Sequence, residues 1–337
     1  MTADKLRWAI LGTGRIANKF ADGVARSLTG EVTVVGSRTA ASAQEFASPR
    51  AIEHAYGTYQ EAVDSPYAEA VYISLPNHLH AEWSVAAARA GKHVLCEKPL
   101  AMNAQEAETV IGEARRADVF FMEAFMYRCH PQIHKLWQLM QEGAIGTPRM
   151  IQATFSFHMR DRQDDVRRQA AIGGGGIMDV GCYTMSLARL AAGAEPESIA
   201  GHAEFGPTGV DEWATASVKF AGGCLANLAC GMSVGADSEF RVWGSDGWIR
   251  IPHPWLPGEQ GETLTVMRLG ASAPETLAVD SNTHLFALEA DAVATHLKDR
   301  QAPRPWMSWQ DSLGQARALD WWRHSAGVLW PGEAPHR

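Results

Sequence analysis

The chain has 337 residues, of which 46% are hydrophobic and 20% charged, with a formal net charge of −8. This length predicts two domains, and an acidic balance without blocks of Lys and Arg argues against nucleic acid or an anionic membrane surface as partner. The five cysteines form no C-x-x-C pair, so neither zinc nor a disulfide framework is indicated. With no apolar window long enough to span a bilayer and no secretory leader, we expect a cytoplasmic protein with a small-molecule partner.

The first third alternates short apolar runs with helical stretches. This alternation predicts a doubly wound parallel sheet with helices on both faces. The predicted strands cover residues 6–11, 32–36, 71–75, 93–96 and 119–122, and two of the predicted helices cover residues 81–90 and 104–117.

The remainder has a different pattern. From Arg149 onward strand-like runs follow one another, and glycine-containing turns at 221–223 and 245–247 predict hairpins of an antiparallel sheet. A helix is predicted over 176–192, and two more over 285–300 and 308–324. We therefore expect an α/β protein whose second part is an α+β domain on a mainly antiparallel open sheet.

A glycine-rich turn follows the first predicted strand. Residues 12–17 fit G-x-G-x-x-A, with Gly12 and Gly14 for the turn and Arg15 and Ile16 opening a helix. Such a turn lets the backbone approach a pyrophosphate, and the helix N-terminus supplies N–H groups. A purely structural turn would use glycines too, but the strand-to-helix position favours a dinucleotide. We expect a Rossmann domain over residues 1–126 and a substrate-binding and oligomerisation domain over 127–337, whose terminal helices could pack back on the first.

The end of the second predicted strand bears on the choice of nucleotide. An acidic residue there would bind the ribose hydroxyls of NAD, whereas this chain has Ser37 and Arg38. A hydroxyl and a guanidinium complement a 2′-phosphate. Arg38 could also be an ordinary surface residue. The sequence favours NADP, with NAD possible.

The strand that begins at His93 runs into Glu97-Lys98-Pro99, at the sheet edge where ligands bind in such folds. Proline biases Lys98 to an extended conformation. Here the sequence resembles the Gfo/Idh/MocA oxidoreductase family, which includes glucose-fructose oxidoreductase, inositol dehydrogenase and dimeric dihydrodiol dehydrogenase. The matching segments are residues 12–17, 75–80, 91–99, 123–128 and 173–183, and the resemblance covers essentially the whole chain.

The resemblance implies site residues at matching positions. Lys98 matches a lysine that contacts the substrate hydroxyl near the nicotinamide, and Asp179 and Tyr183 match the acidic and acid/base positions. Many family members have His in place of Tyr183, so this chain resembles the glucose-fructose oxidoreductase and dihydrodiol dehydrogenase branch. Further cofactor positions are Pro76, Asn77, His80 and Glu97, and further substrate positions are Arg128 and Arg167.

The chemistry of these side chains agrees with such roles. Asp179 and Tyr183 are four residues apart in a predicted helix and so share a face. Free Tyr and Lys have pKa values of about 10 and 10.4, too high for a base at neutral pH. A neighbouring ammonium would lower the tyrosine pKa and stabilise an alkoxide, so we assign Tyr183 as acid/base and Lys98 as electrostatic stabiliser. The reverse assignment, and a purely structural tyrosine, stay open.

The predicted activity is hydride transfer between NAD(P) and a hydroxyl- or carbonyl-bearing carbon of a sugar, polyol or dihydrodiol-like substrate. A redox-neutral glycosidase with retained nucleotide and a non-catalytic dinucleotide-binding regulator are the alternatives. No metal is expected, because His130 and His134 lack the glutamate and third ligand of a zincin motif. A homo-oligomer, dimer or tetramer, is expected because an antiparallel sheet covered by helix on one face leaves the other to cover.

Overall fold

The computed structural model describes residues 5–159 and 165–333. They form two compact units: the first comprises residues up to Cys129 together with Thr283–Leu313, and the second comprises His130–Asn282 and residues from Gly314 onward. The predicted domain boundary between residues 126 and 127 stays a prediction, because a compact unit need not be a domain that folds independently. In the described part of the chain, no helix has the length and apolarity needed to cross a bilayer.

A six-stranded parallel sheet forms the centre of the first unit. Its strand order is β3-β2-β1-β4-β5-β6, the order of doubly wound dinucleotide-binding folds, so the predicted Rossmann sheet is confirmed. The strands are β1 (Leu6–Leu11), β2 (Gly30–Gly36), β3 (His54–Tyr56), β4 (Ala70–Ile73), β5 (His93–Glu97) and β6 (Phe121–Ala124). The helices are α1 (Arg15–Val24), α2 (Ala40–Ala47), α3 (Tyr59–Asp64), α4 (His80–Arg89), α5 (Ala104–Arg116) and α8 (Leu285–His296).

Burial on both faces of the sheet explains why the sequences of its central strands are nearly unbroken apolar runs. All four residues of β4 are buried, and so are the last four of β1, because helices cover both faces of the sheet. Side-chain caps fix the starts of three helices: Thr39, Thr58 and Asn103 each accept a hydrogen bond from a backbone N–H of the first turn. The sequence prediction omitted β3, which has only three half-buried residues, and began β6 two residues early.

The second unit contains an eight-stranded sheet of order β14-β13-β12-β11-β7-β10-β9-β8. All its pairs are antiparallel except β10 with β7, so the predicted mainly antiparallel sheet is confirmed. The strands are β7 (Pro148–His158), β8 (Pro196–Phe205), β9 (Asp211–Phe220), β10 (Leu225–Gly231), β11 (Ser233–Gly244), β12 (Gly247–Ile251), β13 (Thr263–Arg268) and β14 (Glu275–Ala278). The helices are α6 (Pro131–Gln141) and α7 (Cys182–Ala192), and α9 (Trp309–Ser325) ends in this unit.

One face of this sheet is covered and the other is open. Residues of β9 alternate between buried and exposed from Trp213 to Phe220, the pattern of a strand with one solvated face. Helix α7 packs on β7 and β10. The open face carries large apolar side chains, with Met150, Trp213 and Leu225 each more than 40% exposed.

Asp291 of α8 ties that helix to the turn before β2 within the first unit. Its Oδ1 accepts hydrogen bonds from Ser27 Oγ at 2.5 Å, Thr29 Oγ1 at 2.6 Å and Thr29 N at 3.1 Å. A single carboxylate therefore accepts from two hydroxyl groups and from Thr29 N, and Thr29 N has a second acceptor in Ser27 Oγ at 3.1 Å.

We expect Asp291→Ala to lower the free energy of unfolding by about 1–3 kcal/mol, because it strands these partly buried donors. Urea unfolding measures the change. Asp64→Ala is the control: it removes an exposed carboxylate that accepts from Gln60 of the same helix and should cost less than about 0.5 kcal/mol. Equal losses in the two variants would contradict the assignment.

Candidate active site

The glycine turn after β1 has the geometry that a dinucleotide phosphate requires. Gly12 has φ +97°, and a Cβ there would lie 3.1 Å from Ser74 Oγ, so the position requires glycine. Gly14 is extended and directly precedes α1, which Arg15 and Ile16 begin. Among the described residues no side chain caps this helix, and its first turn contains no acidic residue. The N-terminal N–H groups of α1 therefore fit a diphosphate.

Ser37 and Arg38 follow the carboxyl end of β2. Ser37 is 5% exposed, and its Oγ lies 3.4 Å from Thr13 Oγ1 in the glycine turn. Arg38 is exposed, and its positive charge acts on the Tyr59 hydroxyl at the start of α3. Burial raises the pKa of Tyr59 and Arg38 opposes that rise. A hydroxyl and an accessible guanidinium thus lie at the strand end where a ribose would bind.

The loop after β4 is joined to the loop after β5 by His80. Pro76 precedes a 3₁₀ turn that begins at Asn77, and His80 begins α4. The imidazole of His80 is 1% exposed, with Nδ1 2.7 Å from Pro99 O and Nε2 2.8 Å from Leu75 O. Burial lowers the pKa of His80 to about 4, while the two carbonyls oppose that shift. A neutral ring has one N–H and so donates to one of the two carbonyls at a time.

Lys98 follows the last residue of β5, and buried polar groups hold its backbone. The Glu97 carboxylate, 6% exposed, accepts from the Tyr72 hydroxyl at 2.5 Å and from Lys98 N at 3.2 Å. On the other side, Leu100 N donates to the buried Glu123 carboxylate at 2.9 Å. These contacts fix the main chain that carries Lys98, which is the pre-organisation a charge-stabilising lysine needs.

A second carboxyl group lies in the same interior. Glu289 of α8 is fully buried, and neither of its side-chain oxygens has a hydrogen-bond partner among the described residues. Burial and the neighbouring Glu97 carboxylate raise the pKa of Glu289. Glu97, in contrast, accepts hydrogen bonds from the Tyr72 hydroxyl and from Lys98 N.

Arg128, predicted to line the substrate cleft, is 1% exposed. Its guanidinium donates to the backbone carbonyls of Pro305 and Trp306. In the first unit it therefore holds residues 305 and 306 against the segment after β6. A role in binding substrate stays a prediction.

In the second unit the structure brings Asp179 and Arg167 together. Arg167 Nε donates to Asp179 Oδ2 at 2.6 Å, and its Nη1 donates to Asp165 Oδ1 at 3.2 Å. Asp179 lies in a π-helical turn, Ile177–Gly181, that leads directly into α7. Such turns are frequent at functional sites. The ion pair fixes the direction of a carboxylate able to accept from a substrate hydroxyl.

Tyr183 is the second residue of α7 and is 4% exposed. Its ring packs edge-on against Phe155 of β7, with ring centroids 5.2 Å apart, and against Trp255 at 6.2 Å. Trp255 is held in turn by a 2.7 Å hydrogen bond from its indole nitrogen to Thr154 O. The Tyr183 ring is therefore packed against two aromatic side chains of its own unit.

The predicted site residues thus form two groups. Lys98 lies with the nucleotide residues in the first unit, whereas Asp179, Tyr183 and Arg167 lie together in the second. The sequence analysis missed the residues that support them, Tyr72, Glu289, Phe155 and Trp255, because nothing in their spacing marks them. Glu123 lay in a segment that the family resemblance singled out. Among the described residues no three His, Cys, Asp or Glu side chains form a metal-binding group.

Comparison with known proteins agrees with both units. Residues 6–125 match the model of the oxidoreductase family with an NAD-binding Rossmann fold, and residues 133–250 match the model of the GFO/IDH/MocA C-terminal domain. A trans-1,2-dihydrobenzene-1,2-diol dehydrogenase of Mus musculus is 33% identical, with 97% of this chain and 98% of the relative covered. A D-xylose 1-dehydrogenase (NADP(+)) of Haloferax volcanii is 32% identical, with 94% and 95% covered.

A solved structure is also similar over nearly its full length. KijD10, a 3-ketoreductase from Actinomadura kijaniata whose crystal structure contains NADP and TDP-benzene, superposes with a TM-score of 0.86 at 30% identity, covering 96% of this chain and 98% of that one. Matches to both family models, in this order along one chain, confirm the resemblance found in the sequence. This chain belongs to the GFO/IDH/MocA family of oxidoreductases with an NAD-binding Rossmann fold.

Proposed function

We propose that this chain is an NADP-dependent dehydrogenase or reductase that acts on a CH–OH or carbonyl carbon of a sugar, polyol or dihydrodiol-like substrate. The observation that carries the proposal is the position of Lys98, which lies at the same sheet edge as the glycine turn and has a backbone fixed by buried carboxylates. The names of the relatives support the substrate class, since they act on a dihydrodiol and on xylose.

Each residue has a role that its chemistry permits. A nicotinamide nucleotide held at the glycine turn by the N-terminal N–H groups of α1 would supply the hydride-transfer chemistry. Tyr183 transfers the hydroxyl proton, and the ammonium of Lys98 stabilises the negative charge that develops on the substrate oxygen. Asp179, oriented by Arg167, accepts a hydrogen bond from a substrate hydroxyl. The roles rest on each residue's surroundings in its own unit and on the family resemblance.

The substrate is best identified by a screen of sugars, polyols and dihydrodiols with NADP and with NAD, followed at the absorbance of the reduced nicotinamide. Turnover of such a compound with release of reduced cofactor supports the proposal. Product formation from a glycoside without any release of reduced cofactor would contradict it.

We expect Tyr183→Phe to lower kcat by about 10²–10⁴-fold, because it removes the proton-transferring hydroxyl and keeps the ring packed against Phe155 and Trp255. Lys98→Met should cost at least as much, while the Kd for NADP changes little in Tyr183→Phe. The alkaline limb of the wild-type oxidation rate should also disappear in Tyr183→Phe. A variant that keeps this limb with a small rate loss would assign the base to Lys98.

The preference for NADP is tested at Arg38, which is exposed at the end of β2. Arg38→Ala should weaken NADP binding several-fold and leave NAD binding nearly unchanged, because only NADP has a 2′-phosphate for the guanidinium. Titration of both nucleotides measures the Kd values. Arg116→Ala, an exposed arginine on α5 paired with Glu113, is the control. Equal losses for both nucleotides in Arg38→Ala would reject the assignment.

We also propose that the open face of the eight-stranded sheet pairs with a second copy of the chain. Leu225 pairs with Met150 in the register of β10 and β7, which places two large exposed side chains side by side, and Trp213 lies on the same face. The chain mass is 36.7 kDa, and light scattering should give a dimer or tetramer at micromolar concentration. Leu225→Lys should lower this mass, whereas Leu269→Lys, at an exposed turn, should not. A wild-type monomer would refute the interface.

A further inference from the structure

Asp211, the first residue of β9, is a fully buried acid that the proposed chemistry does not use. Its Oδ2 accepts a 2.7 Å hydrogen bond from the backbone N–H of Ile177. Ile177 begins the π-helical turn that contains Asp179 and leads into α7 with Tyr183. The carboxyl group thus binds the start of the segment on which both predicted site residues lie.

The glycines before this turn make room for Asp211. Gly175 has φ +119°, and a Cβ at that position would clash with Asp211 Oδ1. A Cβ on Gly176 would lie 3.4 Å from Oδ2. Gly175 N in turn donates to Arg167 O at 2.9 Å, so the same glycine segment connects Asp211 with the partner of Asp179. The glycine-rich stretch 173–176, which belongs to a segment that resembles the family in sequence, therefore leaves the space that the Asp211 carboxyl group occupies.

The surroundings of Asp211 make its charge state sensitive. Burial raises its pKa to about 7, against the opposing effects of the N–H groups of Ile177, Asp211 itself and Gly176 and of the Arg323 guanidinium. Asp211 Oδ1 has no hydrogen-bond partner within the described residues.

The charged side chains around Asp211 also have partners of their own. The Arg323 guanidinium of α9 donates to Asp320 and to Glu333, and Glu212 forms an ion pair with Arg168 at 2.5 Å. Asp179 binds Arg167. The Cys230 thiol of β10 stays neutral because burial and Asp211 raise its pKa.

We propose that Asp211 is a positioning residue: it anchors the N-terminal end of the Ile177–Ala192 segment and so sets the placement of Asp179 and Tyr183. Ile177 and Asp211 are both buried, so loss of the Asp211 carboxyl group removes the acceptor of an N–H at a helix start that is shielded from solvent in the wild type. The first turn then shifts or frays, and Asp179 and Tyr183 lie within two turns of Ile177. This inference rests on the proposed function of those two residues.

The experiment compares Asp211→Ala, which removes the acceptor, with Asp211→Asn, which keeps an acceptor oxygen and removes the charge. Asp211→Ala should lower kcat by about 10-fold or more, because a displacement of about 1 Å of a catalytic group can cost as much as 10²-fold. The Kd for NADP should be unchanged, since the nucleotide residues lie in the first unit. Asp211→Asn should recover most of the lost rate. Thr58→Ala, which removes the cap of α3, is the matched control and should leave kcat at saturating cofactor unchanged.

Hydrogen exchange measured by mass spectrometry reports on the anchor without activity. Peptides covering residues 173–183 should exchange faster in Asp211→Ala than in the wild type, and peptides of the first unit should not. If the exchange of the peptides covering residues 173–183 is the same in Asp211→Ala and in the wild type, the proposal is overturned. If Tyr183→Phe loses its rate and Asp211→Ala does not, the positioning role fails while the proposed chemistry stands; if Tyr183→Phe keeps its rate while Asp211→Ala speeds exchange, the anchor stands and the proposed chemistry fails.

The pH dependence of stability separates the charge from the anchor. A carboxyl group whose pKa is higher in the folded protein contributes stability that is complete below the unfolded value, 3.8, and is lost as the pH rises through the folded value, about 7. The Tm of Asp211→Asn minus that of the wild type should therefore increase between pH 5 and pH 7 and level off above pH 8. A difference in Tm that does not change between pH 5 and pH 8 would show that Asp211 does not titrate in this range. The charge of Asp211 would then have no part in the anchoring.

Discussion

Parallel strands that share one direction end at one edge of their sheet, and the first unit depends on this constraint. Gly12 follows β1, Ser37 follows β2, Pro76 comes shortly after β4 and Lys98 follows β5, so residues far apart in sequence occupy a single edge. Strands β1, β4, β5 and β6 are almost entirely buried and offer little surface to a ligand. Ligand binding in this unit is therefore confined to the loops after the strands. The order and direction of the strands determine which residues lie at this edge.

Inside the same unit, the polar groups beneath Lys98 act as one system. Glu97 and Glu289 are both buried, and burial together with the Glu97 carboxylate raises the pKa of Glu289. The Tyr72 hydroxyl and the Lys98 N–H both donate to Glu97. The backbone of Lys98 is thus held by the buried Glu97 carboxyl group, whereas the Asp179 carboxylate accepts from the Arg167 guanidinium.

The sequence alone predicted those features of the fold that short-range sequence patterns determine. The glycine turn, the strand leading to Glu97-Lys98-Pro99 and the hairpins at Gly222 and Gly247 have fixed local chemistry, and the structure has each of them. The pattern did not predict β3, whose three residues pair only with β2, or the π-helical form of the turn at Asp179. Nor did it point to Glu289 or Asp211. Their importance comes from neighbours that lie near only after folding, Glu97 for the first and Ile177 for the second, and no spacing along the chain records those contacts.

The parallel pair of β7 with β10 has a kinetic consequence. Strand β10 pairs with β9 on one side and with β7 on the other, so the early strand and the late hairpin join only through contacts distant in sequence, such as Leu225 with Met150. Pairings of this kind slow folding, because the loss of chain entropy on closing a long loop precedes the gain from the contact. Helix α7 packs on this pair of strands, and Phe155, which orients Tyr183, belongs to β7. The packing of Tyr183 therefore depends on a strand pairing between segments distant in sequence, and a chain in which only the parallel sheet of the first unit has formed would lack it.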